Sequence, residues 1–321
     1  MKWLVTGGAG YIGAHVVRAM LASGESAVVL DDLSTGTRSR VPDEVPLVVG
    51  TILDRALLDD VLAEHRPDGI VHIAGKKQVG ESMARPLYYY EQNVEGLRIL
   101  LAAAVDAGVS RFVFSSSAAV YGMPDTDLVD EDYPSVPLSP YGQTKLAGEW
   151  LIRTTAEAHG IAYASLRYFN VAGAAAPELA DEGVFNLIPM VLERLTADEP
   201  PRVFGADYAT PDGTCVRDYI HVADLADAHV VAARRLATDP KTALTLNVGR
   251  GTGTSVREVI DLVARVTGRT DLPPVVVDRR PGDPACVVGR TDRIAHELGW
   301  TARYDIEDMV SSAWEGWQRR H

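Results

Sequence analysis

Residues 2–13, KWLVTGGAGYIG, constrain the fold of this chain more than any other stretch. They read as a buried strand, a glycine turn and the start of a helix. Gly7, Gly10 and Gly13 recur at intervals of three. Glycines let the backbone turn tightly and approach a pyrophosphate, whose charge sits at the N-terminus of the following helix. Alone, such a pattern also fits a simple strand-to-helix turn. Asp31 and Asp32, at the end of the second apolar run, add context. A carboxylate there accepts from the adenosine ribose hydroxyls and repels a 2′-phosphate. No arginine follows at once, Arg38 being several residues on. The pattern therefore points to NAD rather than NADP, with a turn or capping aspartate as the plain alternative for Asp31.

The apolar runs 2–6, 26–30, 46–50, 69–74 and 111–116 read as strands, with helices at 11–23, 54–65 and 91–107. Continuously apolar strands separated by helices predict an α/β fold, a doubly wound parallel sheet of Rossmann type. Helix 141–159 and strand 163–169 continue the alternation. After Asn170 the texture changes: 171–183 and 198–215 read as loops, 186–197, 224–236, 255–268 and 305–319 as helices, 218–222 and 245–249 as strands. The expected division is a dinucleotide-binding domain of 1–169 with returning segments at about 205–223 and 252–270. A smaller, interlaced substrate domain takes 170–204, 224–251 and 271–321.

A chain of 321 residues suits one large or two associated domains. Its net charge of −13 argues against a general nucleic-acid binder, which shows a basic face. A few local arginines still suit a small anion. Two cysteines make no disulfide framework, and no His/Cys cluster has zinc spacing. His221 and His229, eight apart, read as structural. No secretory leader is legible and no run approaches the ~20 apolar residues of a membrane span. The expectation is a cytoplasmic protein with no metal, membrane or nucleic-acid partner.

SPYGQTK places Tyr141 and Lys145 four apart, on one face of a helix. A phenol, with a pKa of about 10, is a poor base at neutral pH. A nearby ammonium and an oxidised nicotinamide favour the phenolate. Ser117 ends a strand upstream, where it can hydrogen-bond a reacting hydroxyl. A surface helix pair is the plain alternative, and the order glycine turn, serine, tyrosine, lysine argues against it.

GGAGYIG, FSSSAAVYG, SPYGQTKL and LRYFNVAGA together resemble the extended short-chain dehydrogenase/reductases. AGKKQVGES (74–82), YEQNVEGLRILL (90–101), PDGTCVRDYIHVADLADAH (211–229), LNVGRGTGTSV (246–256) and RRPGDP (279–284) narrow the resemblance to the UDP-galactose 4-epimerase branch, in register over nearly the whole chain. The resemblance implies interconversion of UDP-galactose and UDP-glucose on tightly held NAD, and a homodimer. It implies catalysis by Ser117, Tyr141 and Lys145. For the cofactor it implies Gly7, Gly10, Tyr11, Ile12, Gly13, Asp31, Asp32, Ser34, Thr35, Gly36, Thr51 and Ile52. Ala74, Gly75, Lys77, Asn93, Ser115 and Tyr168 complete that set with Tyr141 and Lys145. For the substrate it implies Lys77, Ser117, Tyr141, Asn170, Asn186 and Leu187, with Phe204 beside uracil. Arg217 and Arg280 fall to the diphosphate and Asp283 to the ribose. Arginine suits a diphosphate because its planar fork binds oxygens in pairs.

One departure is Thr51, which stands where the family usually has an aspartate reaching the adenine amine. Cys286 falls at a family position edging the sugar pocket, filled by tyrosine in some members. A small side chain there implies room for an N-acetyl group, and so activity on UDP-N-acetylgalactosamine and UDP-N-acetylglucosamine. Other readings are epimerases of UDP-glucuronate or UDP-pentoses and a non-catalytic NAD-binding protein. A 4,6-dehydratase is disfavoured, because Ala118 and Ala119 follow Ser117 where that chemistry needs an acid and a base.

Overall fold

A computed structural model describes residues 1–280 and 282–320. β1 (Lys2–Thr6), α1 (Tyr11–Ala22), β2 (Ser26–Asp31), β3 (Leu47–Val49), α2 (Arg55–His65) and β4 (Gly69–His72) open the chain. The short helices α3 (Val79–Ala84) and α4 (Pro86–Tyr90) lead to α5 (Gly96–Asp106) and β5 (Arg111–Ser115). The expected helix 91–107 begins instead with a wide π-type turn at Glu91–Glu95, which carries Asn93. Such turns often occur at functional positions. α6 (Pro140–His159) and β6 (Ala162–Tyr168) complete the first half.

The second half runs β7 (Asn170–Ala172), α7 (Leu187–Thr196), β8 (Arg202–Phe204), β9 (Val216–His221), α8 (Val222–Thr238) and β10 (Ala243–Val248). β11 (Gly253–Ser255), α9 (Val256–Thr267), β12 (Val275–Val277), β13 (Cys286–Val287), α10 (Asp292–Leu298) and α11 (Ile306–Arg320) follow.

The large sheet has seven parallel strands in the order β10-β6-β5-β4-β1-β2-β3. Its strands are buried on both faces by helices, as their apolar runs require. The period of two is visible in β1: Trp3 and Val5 pack with α1 and α8, whereas Leu4 packs with α2 and α5. The strand order reverses between β1 and β4, so the crevice at their carboxyl ends is the natural ligand position.

The smaller body is built on β9, flanked by β11 and β13 and paired with β7. α7, α9 and α11 pack around it through Ile188, Ile260 and Met309. Two segments change sides relative to the expected division. α8 buries Leu225, Ala228 and Leu236 in the core of the large sheet, and β10 pairs with β6, so 224–251 lies with that sheet. β9 and α9 lie in the smaller body, which corrects the returning segments 205–223 and 252–270. Apolar periodicity shows that an element is buried without naming its partner. The three-residue strands β7 and β8 fall within stretches expected to be loops, being too short to show a period. Among the described residues no helix is long and apolar enough to cross a membrane, and no group of three or more His, Cys, Asp and Glu is placed to hold a metal ion.

Candidate active site

A groove of about 360 Å³ lies over the carboxyl ends of β1, β2 and β4. Gly7, at φ +74°, turns the chain out of β1. A Cβ on Gly13 would lie 2.0 Å from the Gly7 carbonyl oxygen, so only glycine lets α1 start this close to the strand. Gly10 caps α1 without a side-chain bond, and the first turn holds no acid. The helix therefore presents open N–H donors to an anion. Asp31 is buried behind the turn. Its Oδ2 accepts from Ala9 N at 2.9 Å and its Oδ1 from Leu33 N at 2.9 Å. Burial pushes its carboxyl above the ordinary range. An uncapped helix start, a glycine cradle and a carboxylate at the end of β2 fit a dinucleotide.

Tyr11, Ile12, Asp32, Ser34, Thr35, Thr51, Ile52, Ala74, Gly75, Lys77 and Tyr168 line the same groove, as do Tyr141 and Lys145. Three expected cofactor residues do not. Gly36 packs against Ala9 and the Asp31 carboxylate. Ser115 is fully buried, its Oγ 2.9 Å from His229 Nε2. Asn93 accepts from Lys76 N at 2.8 Å and donates to Lys76 O and Thr144 Oγ1, bracing the loop after β4 against α6. Ser115 and Asn93 stand behind the groove, because their side-chain polar atoms are spent on neighbouring segments. Thr51 Oγ1 accepts from Leu53 N at 3.2 Å, an internal turn bond. Lys76, absent from the expected set, donates to Ser34 Oγ at 2.8 Å across the groove and lies 4.0 Å from Asp32. Its only signal was a second lysine beside Lys77.

Ser139 caps α6 by accepting from Gly142 N, and Pro140 takes the first helical position. That start places Tyr141 in the first turn and Lys145 one turn later. Both are buried, with Ser117. Burial raises the Tyr141 hydroxyl above its ordinary value, and a hydrogen bond with Ser117 pulls it down. Ser117 Oγ also accepts from Ala119 N at 3.2 Å. Lys145 Nζ donates to Ser115 O at 2.8 Å and lies 6.0 Å from the Tyr141 ring centre. Burial lowers its pKa to about 8, opposed by the Glu149 carboxylate. His221 caps α8 through Ala223 N, and His229 is fully buried and bonded at both nitrogens, so both serve the fold.

A second cleft of about 810 Å³ meets the groove at Tyr11, Ile12, Lys77, Tyr141, Tyr168 and Phe185. It is lined by Ser117, Asn170, Asn186, Leu187, Phe204, Arg217, Arg280 and Asp283. The Arg280 guanidinium sits 3.8 Å from the centre of the Phe204 ring, a cation–π contact, and Arg217 lies 3.5 Å from Asp283. Cys286 is the member of the expected substrate set that does not line the cleft. In β13 it pairs with Val216, whereas Val287 pairs with Arg217 and faces the cleft. Adjacent residues of a strand point to opposite faces. Cys286 is half-buried on the opposite face, and burial pushes its thiol up, away from the reactive thiolate.

Residues 3–249 match the model of the NAD dependent epimerase/dehydratase family. The chain belongs to this family. The UDP-glucose 4-epimerase of Azospirillum brasilense is 46% identical over 320 residues, covering 98% of this chain and 91% of that protein. The UDP-glucose-4-epimerase of Stenotrophomonas maltophila, solved with bound NAD and formylated UDP-arabinopyranose, is 40% identical with a TM-score of 0.94, covering 100% of this chain and 98% of that one. The UDP-Glc/GlcNAc 4-epimerase of Campylobacter jejuni is 35% identical with a TM-score of 0.87, covering 99% of each chain. The chain is thus an NAD-dependent epimerase, an isomerase of the UDP-glucose 4-epimerase type. In this epimerase the cleft wall after Ser117 is Ala118 and Ala119, without an acid or base.

Proposed function

We propose that this epimerase interconverts UDP-galactose and UDP-glucose through a 4-keto sugar. The observation that carries the reading is the position of Tyr141, which lines both the dinucleotide groove and the cleft that ends in Arg217 and Arg280. Bound NAD would supply the redox chemistry, taking a hydride from C4 and returning it to either face. Gly7, Gly10, Gly13, Asp31 and Lys145 would hold it. Tyr141, as phenolate, takes the proton of the 4-hydroxyl and later gives it back. Ser117, bonded to Tyr141, orients that hydroxyl. The Lys145 ammonium stabilises the phenolate. Arg217 and Arg280 neutralise the diphosphate at the far end. Phe204, stacked under Arg280, offers a face to the uracil ring, and Asp283 lies within reach of the ribose. The sugar can turn over while the diphosphate stays held, so both C4 faces meet one tyrosine.

The test is incubation of the purified protein with UDP-galactose, UDP-N-acetylgalactosamine and UDP-xylose in parallel, without added NAD. UDP-glucose forms from UDP-galactose if the reading holds. No epimerisation of any of the three overturns it.

The same reading extends to the N-acetylated pair. Its support is the small wall of Ala118, Ala119 and Gly122 beside Ser117 in the cleft. Turnover of UDP-N-acetylgalactosamine within about tenfold of that of UDP-galactose is expected in the same incubation. No turnover of UDP-N-acetylgalactosamine beside active turnover of UDP-galactose sinks this extension.

A further inference from the structure

A buried carboxylate behind the site has no part in the chemistry above. Glu149 lies on α6 one turn beyond Lys145, on the face that carries Tyr141, and its side chain is 7% exposed. It lines neither the groove nor the cleft. Ser116 Oγ donates to its Oε1 at 2.5 Å. Arg167 donates to both oxygens, Nε to Oε1 at 2.9 Å and Nη2 to Oε2 at 2.6 Å. Arg167 uses Nη1 on the Tyr121 hydroxyl at 3.1 Å and on Glu131 O at 3.0 Å, so all three of its nitrogens donate.

The chain positions of these partners carry the inference. Ser116 immediately precedes Ser117, just past the end of β5. Arg167 immediately precedes Tyr168, at the end of β6. One carboxylate on α6, the helix that bears Tyr141, thus ties together the neighbours of Tyr168 at the junction and of Ser117 in the cleft. An apolar cluster would hold these segments together as firmly, because a buried ion pair gives little net stability. It would not fix their direction, which forked hydrogen bonds do.

We propose that Glu149 is a positioning residue: its carboxylate locks the segments bearing Ser117, Tyr168 and the Tyr141–Lys145 pair into one register. Its charge also stands one helical turn from Lys145. The proposal rests on the roles given to Ser117, Tyr141 and Lys145 above. Tyr141 and Glu149 on its own helix and His72 on β4 act on Lys145, and Tyr168 on β6 lines the same groove. His72 is held neutral by burial, its pKa lowered to about 3. Asn93 and Ser115 are uncharged. Glu149 is therefore the acid that faces this lysine. Lys145 loses its proton as pH rises through about 8. Without Glu149 that loss comes at lower pH.

Glu149→Gln is the first test, read by the pH profile of kcat for UDP-galactose and by NAD content after denaturation. The expected result is a kcat about 10- to 100-fold lower, with KM and NAD content unchanged. The alkaline limb should move down by about one pH unit. Glu149→Asp should restore the limb and only part of the rate. If Glu149→Gln fails to fold, Ser116→Ala decides, with an expected kcat loss of about 3- to 10-fold and an unmoved limb. Wild-type rate and limb in Glu149→Gln, or a wild-type rate in Ser116→Ala should it decide, overturn the proposal. A lower kcat with an unmoved limb in Glu149→Gln overturns its charge part. A wild-type protein that epimerises nothing overturns the underlying reading instead.

Discussion

Tyr141→Phe lowers kcat for UDP-galactose by about 10²- to 10⁴-fold, the range lost with a general base. Tyr141 is buried, and phenylalanine fills the same space, so packing and NAD content should not change. What disappears is one oxygen, bonded to Ser117 at the junction of the two cavities. Ser117 keeps its bond from Ala119 N and Lys145 its bond to Ser115 O, so the surrounding frame stays in place. A coupled assay for UDP-glucose, run beside the absorbance of released NAD, separates lost chemistry from lost cofactor. A variant that keeps turnover within tenfold of wild type would falsify the role given to Tyr141.

Gly13→Ala empties the dinucleotide groove. The new Cβ would stand 2.0 Å from Gly7 O and 2.7 Å from Gly8 Cα, both backbone atoms that cannot swing aside. α1 must then move off the end of β1, carrying its open N–H groups away from the pyrophosphate position. Overpacking costs about 1–3 kcal/mol, against about 1 kcal/mol gained in helix propensity. The net change is destabilising, and loss of bound NAD removes further stability. Gly80→Ala, outside the groove in α3, is the control, because its Cβ would meet no atom within 4 Å. Thermal melting and NAD content should fall sharply for Gly13→Ala and little for Gly80→Ala. Equal NAD content in the two variants would mean that this close approach does not build the cofactor site.

Tyr141, Lys145 and the glycine turn were legible because each depends on local geometry. Four residues make one helical turn, and a strand followed by glycines makes one kind of bend. Lys76 was not legible, since its partners Ser34 and Asp32 lie on a different loop and only the sheet brings the two loops together. Cys286 was legible as a small side chain near the sugar pocket. Its direction was not, because the parallel pairing of β13 with β9 decides which of Cys286 and Val287 faces the cleft. Glu149 read as one more charge on a helix, and its partners Ser116 and Arg167 come from strands 33 and 18 residues away.

The amino-acid sequence by itself determined the α/β alternation, the dinucleotide turn and the order of serine, tyrosine and lysine, because periods of two and 3.6 residues and a glycine's missing Cβ act within a few residues of chain. Only the tertiary structure decided that α8 and β10 join the large sheet while β9 and α9 leave it. It also decided which residues stand in front of the cofactor groove and which behind. Burial is written in the apolar pattern of each segment, whereas the choice of partner is a contest among all segments that can offer a complementary face.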